Sequence, residues 1–231
     1  MRVAIYYTPA KNNPLARAAA QWLGRSAFSA DDVAKPDPAI ARWVTEPQRY
    51  GFHATLRAPF HLADGVSLGD VEQMVMSLAA RTENVALGQL QLGSLNGFLA
   101  LTAPQVGAEL VALEAQVRER CEPFRAPLNA DEIARRKPER LSASQRRNLD
   151  DWGYPNVGTD FRFHMTLTNS LGPDAPTGEL ARRADAVFAQ HLSRTHFLDA
   201  LAIFVEDAPG APFRILELYP LQRPINMAAY L

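Results

Sequence analysis

Phe52-His53-Ala54-Thr55-Leu56 and Phe163-His164-Met165-Thr166-Leu167 are two copies of one pattern in a single chain of 231 residues. In an extended strand, residues i and i+2 point to the same face. Each copy therefore sets an imidazole beside a hydroxyl on one surface. The Phe, the middle residue and the Leu turn the other way, toward a core. The chain has five His and ten Thr, so roughly 0.2 His-x-Thr triplets are expected from composition alone, and two occur, each inside the same Phe and Leu frame. The competing reading is a pair of buried strand histidines satisfied by the backbone. Two such strands facing each other would instead form a compact site with two proton-transfer groups and two hydroxyl donors.

The surroundings of the motifs repeat as well. After His53 come a loop, a helix opening near Ser67 with Leu68, Val71, Met74 or Val75, and Leu78 at helical spacing, and strands at about 85–92 and 98–102. Asn96-Gly97 between these strands is a hairpin signal. After His164 the order recurs: a helix near Thr177 with Leu180, Ala184, Val187 or Phe188, and Leu192, then strands at about 197–205 and 213–219 around Pro209-Gly210. An offset of 111 residues carries His53 to His164, Leu87 to Leu198, Leu90 to Leu201 and Leu92 to Ile203 without a gap. This predicts an α+β fold of two pseudo-symmetric lobes, each an antiparallel sheet with flanking helices, the site in the cleft between them. The expected organisation is one bilobal domain over residues 1–231. The first repeat covers about 50–104, an inserted helical segment about 123–160 and the second repeat about 161–221.

The rest decorates this plan. Residues 2–7 read as a strand, Asn13-Pro14 opens a helix to about Leu23, residues 29–49 read as a loop with short helical pieces, and a helix runs over about 106–120. Within the insertion, 129–137 and 142–151 read as short helices, and the segment is long enough to cover a site. Residues 222–231 show no pattern.

Composition excludes several classes. The chain is 47% hydrophobic and 21% charged with a formal net charge of −1, so no global basic field attracts long nucleic acid. The single cysteine, Cys121, rules out an internal disulfide framework and falls on an apolar helical stripe, as a core thiol does. No run approaches transmembrane length. The N-terminal apolar stretch is too short for a secretory signal. No membrane partner is expected, and a cytoplasmic location follows by default.

A phosphodiester hydrolase working near neutral pH needs a base for water and an acid for the leaving oxygen, and histidine serves as either. Threonine hydroxyls can donate to the non-bridging phosphoryl oxygens. Two His without a nearby carboxylate, and without an HxH or HExxH spacing, make a poor metal set, so no metal or cofactor is expected.

The paired FHATL and FHMTL motifs resemble those of the two-histidine phosphoesterase superfamily. The longer strings Arg49–Phe60 and Phe161–Thr168 resemble an uncharacterised bacterial branch associated with phosphonate-utilisation genes. The resemblance implies a bilobal, metal-independent cyclic phosphodiesterase with His53, Thr55, His164 and Thr166 as its site and a basic residue at Arg57. The expanded linker departs from the family's usual short one. The expected substrate is a small cyclic sugar phosphate or nucleotide. An RNA 2′,3′-cyclic end and a non-catalytic nucleotide-binding module are the alternatives. The oligomeric state, and which His is base and which acid, stay open at this stage.

Further candidates flank the motifs. Arg57 lies two residues past Thr55 and shares its face as a phosphate clamp if the strand continues. Tyr7 ends the first strand, where it could stack on a base or ribose or serve as a core or rim residue. Arg49 and Tyr50 precede the first motif, with a second phosphate and a structural ion pair as rival roles for Arg49. Arg162 lies two residues before His164, against the alternative of a solvated strand end. Tyr154 could reach the site from the insertion. Arg135, Arg136, Arg146 and Arg147 read as a solvated helical surface more readily than as an anion-binding lid. His61, His191 and His196 have no partnered pattern.

Overall fold

The computed structural model describes residues 1–29 and 33–223. Most of the patternless C-terminal stretch lies outside the described residues.

The chain opens with strand β1 (Arg2–Tyr7) and helix α1 (Pro14–Leu23). Asn13 caps α1 by accepting the Leu15 N–H, and Gly24 ends it in the left-handed conformation. A short helix α2 (Thr45–Tyr50) leads into the first motif strand, β2 (Ala54–Phe60). Helix α3 (Leu68–Ala79) starts at a capping box between Ser67 and Asp70. Strands β3 (Val85–Gly88), β4 (Gln91–Leu95) and β5 (Phe98–Thr102) follow, then helix α4 (Ala108–Cys121). The insertion holds α5 (Ala130–Arg135) and α6 (Ala143–Trp152), each opened by its own capping box. The second motif strand β6 (His164–Thr166), helix α7 (Thr177–Leu192) and strands β7 (His196–Leu198), β8 (Ala200–Glu206) and β9 (Arg214–Pro220) complete the described fold.

The strands form a seven-stranded sheet, β4-β5-β6-β2-β1-β8-β9, paired antiparallel throughout, and a two-stranded sheet, β3-β7. The two expected sheets thus meet edge to edge through the motif strands. β2 and β6 pair at Ala54 and Met165, the middle residues of the two motifs. In the small sheet Ala86 pairs with Phe197. Both pairs are separated by the same 111 residues as the motifs, so one pseudo-two-fold axis passes through both junctions.

The symmetry is incomplete farther out. On one side β5 lies between β6 and β4. On the other, the N-terminal strand β1 takes the equivalent place between β2 and β8, and β9 becomes an outer edge. The repeats also use their strands differently from the expected continuous runs. The run expected over 85–92 breaks after Gly88, whose φ of 67° few other residues tolerate. The run over 197–205 breaks at Asp199. In each repeat the first piece enters the small sheet and the second the large one.

One face of the large sheet carries the main core. Val3, Ile5, Tyr7, Leu56, Leu101, Met165, Leu201 and Ile203 pack there with Leu15, Val75, Leu113 and Phe188 from the covering helices. On the opposite face Ala4, Tyr6, Ala202 and Phe204 of β1 and β8 meet Ala27 and Phe213. This second face carries the motif polar groups. Buried bonds hold the motif strands in place. Thr8 Oγ1 donates to the Phe52 carbonyl at 2.8 Å, Trp22 Nε1 to the Leu167 carbonyl at 2.8 Å, and Thr168 Oγ1 accepts the Leu99 N–H at 2.9 Å.

Candidate active site

Antiparallel pairing at Ala54 and Met165 sets His53 opposite Thr166 and Thr55 opposite His164. All four side chains share the face away from the helical core. His53 and His164 are then diagonal neighbours, about 7–8 Å apart at the backbone by sheet geometry. That is a span one phosphoryl group can bridge. The common face of the two motifs therefore rests on a register, and central strands hold such side chains more precisely than loops do.

Each imidazole is oriented by the backbone two residues earlier. His53 Nδ1 donates to the Gly51 carbonyl at 2.9 Å, and His164 Nδ1 to the Arg162 carbonyl at 2.7 Å. These acceptors are themselves related by the 111-residue repeat. With Nδ1–H engaged, Nε2 is the atom left for proton transfer on both rings. Thr55 Oγ1 lies 3.3 Å from His53 Nε2. Gly51 is required here: its φ is 77°, and a Cβ on it would come within 2.7 Å of the Ala27 Cβ.

Burial lowers the affinity of both rings for a proton. It brings His53 down to about 4; the Gly51 carbonyl opposes this shift and the nearby His164 adds to it. Burial also lowers His164, against the opposing pull of the Arg162 carbonyl. The His53 ring stacks on Tyr6, with centroids 3.8 Å apart and planes 20° apart, and Tyr50 and Phe204 lie 6.1 and 6.0 Å away. Among the described residues His164 has one aromatic neighbour, Phe98, at 5.6 Å.

Two expectations are corrected. Tyr7 pairs with Ala54, is buried in the helical core and meets Phe163, so it does not face the histidines. Its neighbour Tyr6 lies beneath His53 instead. Alternation along β1 allowed only one of the two tyrosines on the site face, but the sequence could not tell which. Arg57 is not beside Thr55. A β-bulge at Leu56 puts Thr55 opposite Tyr6 but Arg57 opposite Ile5, on the core face. Arg57 is 2% exposed, and its Nη2 donates to Glu122 at 2.8 Å, just past the end of α4.

Tyr50 stands between His53 and Phe213, which it stacks on at 5.1 Å. Arg49 pairs with Glu206 and lies over the Tyr50 ring. Arg162 is exposed and its Nη1 donates to the Thr159 and Phe161 carbonyls, as a strand end does. His196 is satisfied by the His191 carbonyl. Thr102, paired with His164 through β5, shares the site face and escaped the sequence reading. Only the β5–β6 pairing reveals it. Among the described residues no group of three or more His, Cys, Asp or Glu could hold a metal ion, and no helix is long and apolar enough to cross a membrane.

Several known proteins are similar to this chain. The ribose 1,5-bisphosphate phosphokinase PhnN of Janthinobacterium sp. (strain Marseille) is 34% identical over 229 residues, covering 92% of this chain and 49% of that protein. This chain spans about half the length of the curated relatives it matches. Among solved structures, TT0787 of Thermus thermophilus aligns over 96% of this chain and 98% of its own, at 15% identity and a TM-score of 0.50. E. coli LigT complexed with 3′-AMP aligns over 96% and 98% at 11% identity and a TM-score of 0.43. At 15% identity the likeness to TT0787 is one of fold. Residues 55–214, which hold Thr55 and the whole second motif, match the family described as protein of unknown function (DUF1045), and the chain belongs to that family.

Proposed function

We propose that this chain is a two-histidine phosphoesterase that hydrolyses a cyclic phosphodiester of a small sugar phosphate or nucleotide without a metal ion. The observation that carries this reading is the pairing of the motif strands at their middle residues, which gives one face two imidazoles with Nδ1 bonded backward and two hydroxyls between them.

In this mechanism His53 Nε2 removes a proton from water. The water oxygen forms a bond to phosphorus, and the ring ester bond to the leaving oxygen breaks. Protonated His164 delivers its Nε2 proton to that oxygen, leaving a phosphomonoester and a free hydroxyl. The deeper burial of His53 favours its neutral form and the base role, and the less enclosed His164 is the better site for the extra proton. The negative charge of the bound substrate raises the proton affinity of both rings. Thr55 and Thr166 donate to the non-bridging oxygens, because phosphoryl transfer is catalysed chiefly by positioning and charge stabilisation.

The similarity to a ribose 1,5-bisphosphate phosphokinase supports phosphoribose as the sugar. A cyclic phosphate of ribose 5-phosphate would fit a role in phosphonate use. The test is a screen of cyclic phosphates in excess chelator. Turnover of a ribose or mononucleotide cyclic phosphate above that of a cyclic-ended oligonucleotide is expected. Faster cleavage of the oligonucleotide would favour an RNA end. Binding with no product over hours would leave a nucleotide-binding module.

A further inference from the structure

A cavity of about 640 Å³ opens between the sheet and the insertion; none of the four motif residues lines it, and Tyr50 connects it to the His53 side of the site. Its volume suits a small-molecule ligand. One wall comes from the insertion, with Arg135 and Arg136, and the other from the sheet and α2, with Arg2, Arg49 and Tyr50. Tyr50 is the shared partition: it lines this cavity and lies 6.1 Å from the His53 ring.

The charge here is unevenly matched. Arg2 and Arg49 share a single buried carboxylate, Glu206, whose Oε1 also accepts the Gly210 N–H. Two guanidiniums on one carboxylate leave a positive charge over. Glu132 also lines the cavity, but its Oε2 accepts the Asn129 N–H in the α5 capping box and its Oε1 faces His61 at 3.7 Å. Asp131 is the other acidic residue on that wall. Arg135 and Arg136 have no carboxylate within salt-bridge distance among the described residues, and Arg136 lies over the Tyr154 ring at 5.2 Å. Arg135 is exposed and Arg136 half-buried; Arg146 and Arg147 on α6 are exposed too, but line no part of this cavity. The basic stretch of the insertion thus divides into arginines that line the cavity and arginines that do not.

We infer that this cavity is a second anion subsite, holding a phosphoryl group remote from the scissile ester, so that the substrate carries two phosphates on one small sugar. This rests on the function proposed above. The scissile group sits at the His-Thr face, the sugar passes Tyr50, and the second phosphate meets the arginines. A terminal monoester, with its higher charge, suits them better than the backbone diester of an RNA end.

The experiment compares kcat/KM for a nucleoside 2′,3′-cyclic phosphate with and without a 5′-phosphate, and for a cyclic-ended dinucleotide. The 5′-phosphorylated compound is expected to be preferred by about tenfold or more, the scale of a charge-assisted contact. The double variant Arg135→Ala/Arg136→Ala should bring that ratio near one, and Arg147→Ala should keep it. Equal use of the three substrates by the wild-type protein, retention of the preference in the double variant, or an equal loss on all substrates would overturn the subsite. Should no cyclic phosphate turn over, the proposed function fails by itself. Calorimetric binding of ribose 5-phosphate then decides the subsite: binding that survives His164→Ala and is lost in the double variant supports it. No binding, or binding indifferent to the arginines, removes it.

Discussion

The two halves of the site share a backbone plan but not an environment. His53 and His164 are pinned through Nδ1 to carbonyls in equivalent positions, at 2.9 and 2.7 Å. Yet His53 is stacked on Tyr6 with Tyr50 and Phe204 close by, whereas among the described residues His164 has Phe98 alone. The carbonyl serving His53 belongs to Gly51 at a positive φ, and the one serving His164 belongs to Arg162. A duplicated strand thus supplies two similar imidazoles, the proposed proton-transfer groups. Unduplicated neighbours, above all β1, then make them unequal. That inequality is what a base and an acid require, since each must hold a different protonation state at one pH.

The largest effect tests what the halves share. His53→Ala and His164→Ala should each lower turnover by about 10²–10⁴-fold with the fold retained, as measured by steady-state kinetics and circular dichroism. Wild-type rates in either variant would remove the paired roles. Thr55→Ala and Thr166→Ala should cost less, about 10–100-fold each.

The next effect separates the halves. Gly51→Ala must take a strained φ and move Ala27, so it should destabilise the protein by about 1–3 kcal/mol in a denaturant titration. Arg162→Ala keeps the carbonyl that orients His164 and should leave stability within about 0.5 kcal/mol. Equal effects would mean that Gly51 has no special place beneath His53.

The smallest effect concerns pH. Both rings are lowered by burial, so in the free protein the bell of kcat/KM should lie on the acid side of two ordinary imidazoles. Protonation of His53 sets its acid limb near 4, and deprotonation of His164 sets its alkaline limb below the usual 6.5. Replacing Tyr6 by Leu removes the stacked ring that helps enclose His53, and should move the acid limb upward while leaving the alkaline limb in place. A shift of both limbs together would show that the surroundings of the rings are not independent.

Much of the helical fold was legible locally. Asn13-Pro14, Ser67 with Asp70, Asn129 with Glu132 and Ser142 with Gln145 mark helix starts through bonds formed within a few residues. The Asn96-Gly97 hairpin was equally plain, and both residues adopt positive φ. Strand ends were less so. The break at Gly88 separates two sheets that sequence alternation treats as one surface. The misplaced Arg57 has a related cause: a bulge adds one residue to one strand, and only the opposing strand shows that it is there. Thr102 and Tyr6 entered the site through cross-strand neighbours far away in sequence, which no local pattern records.

The sequence by itself determined the four polar groups, their pairing two by two, and the 111-residue repeat that relates them, because alternation along a strand is a local property of the backbone. Only the tertiary structure decided that β2 and β6 lie side by side, that β1 joins one half and not the other, and that two arginines of the insertion line a cavity with Tyr50. The physical reason is that strand partners and buried neighbours are chosen by hydrogen bonding and packing between distant segments, and these act only once the chain has closed on itself.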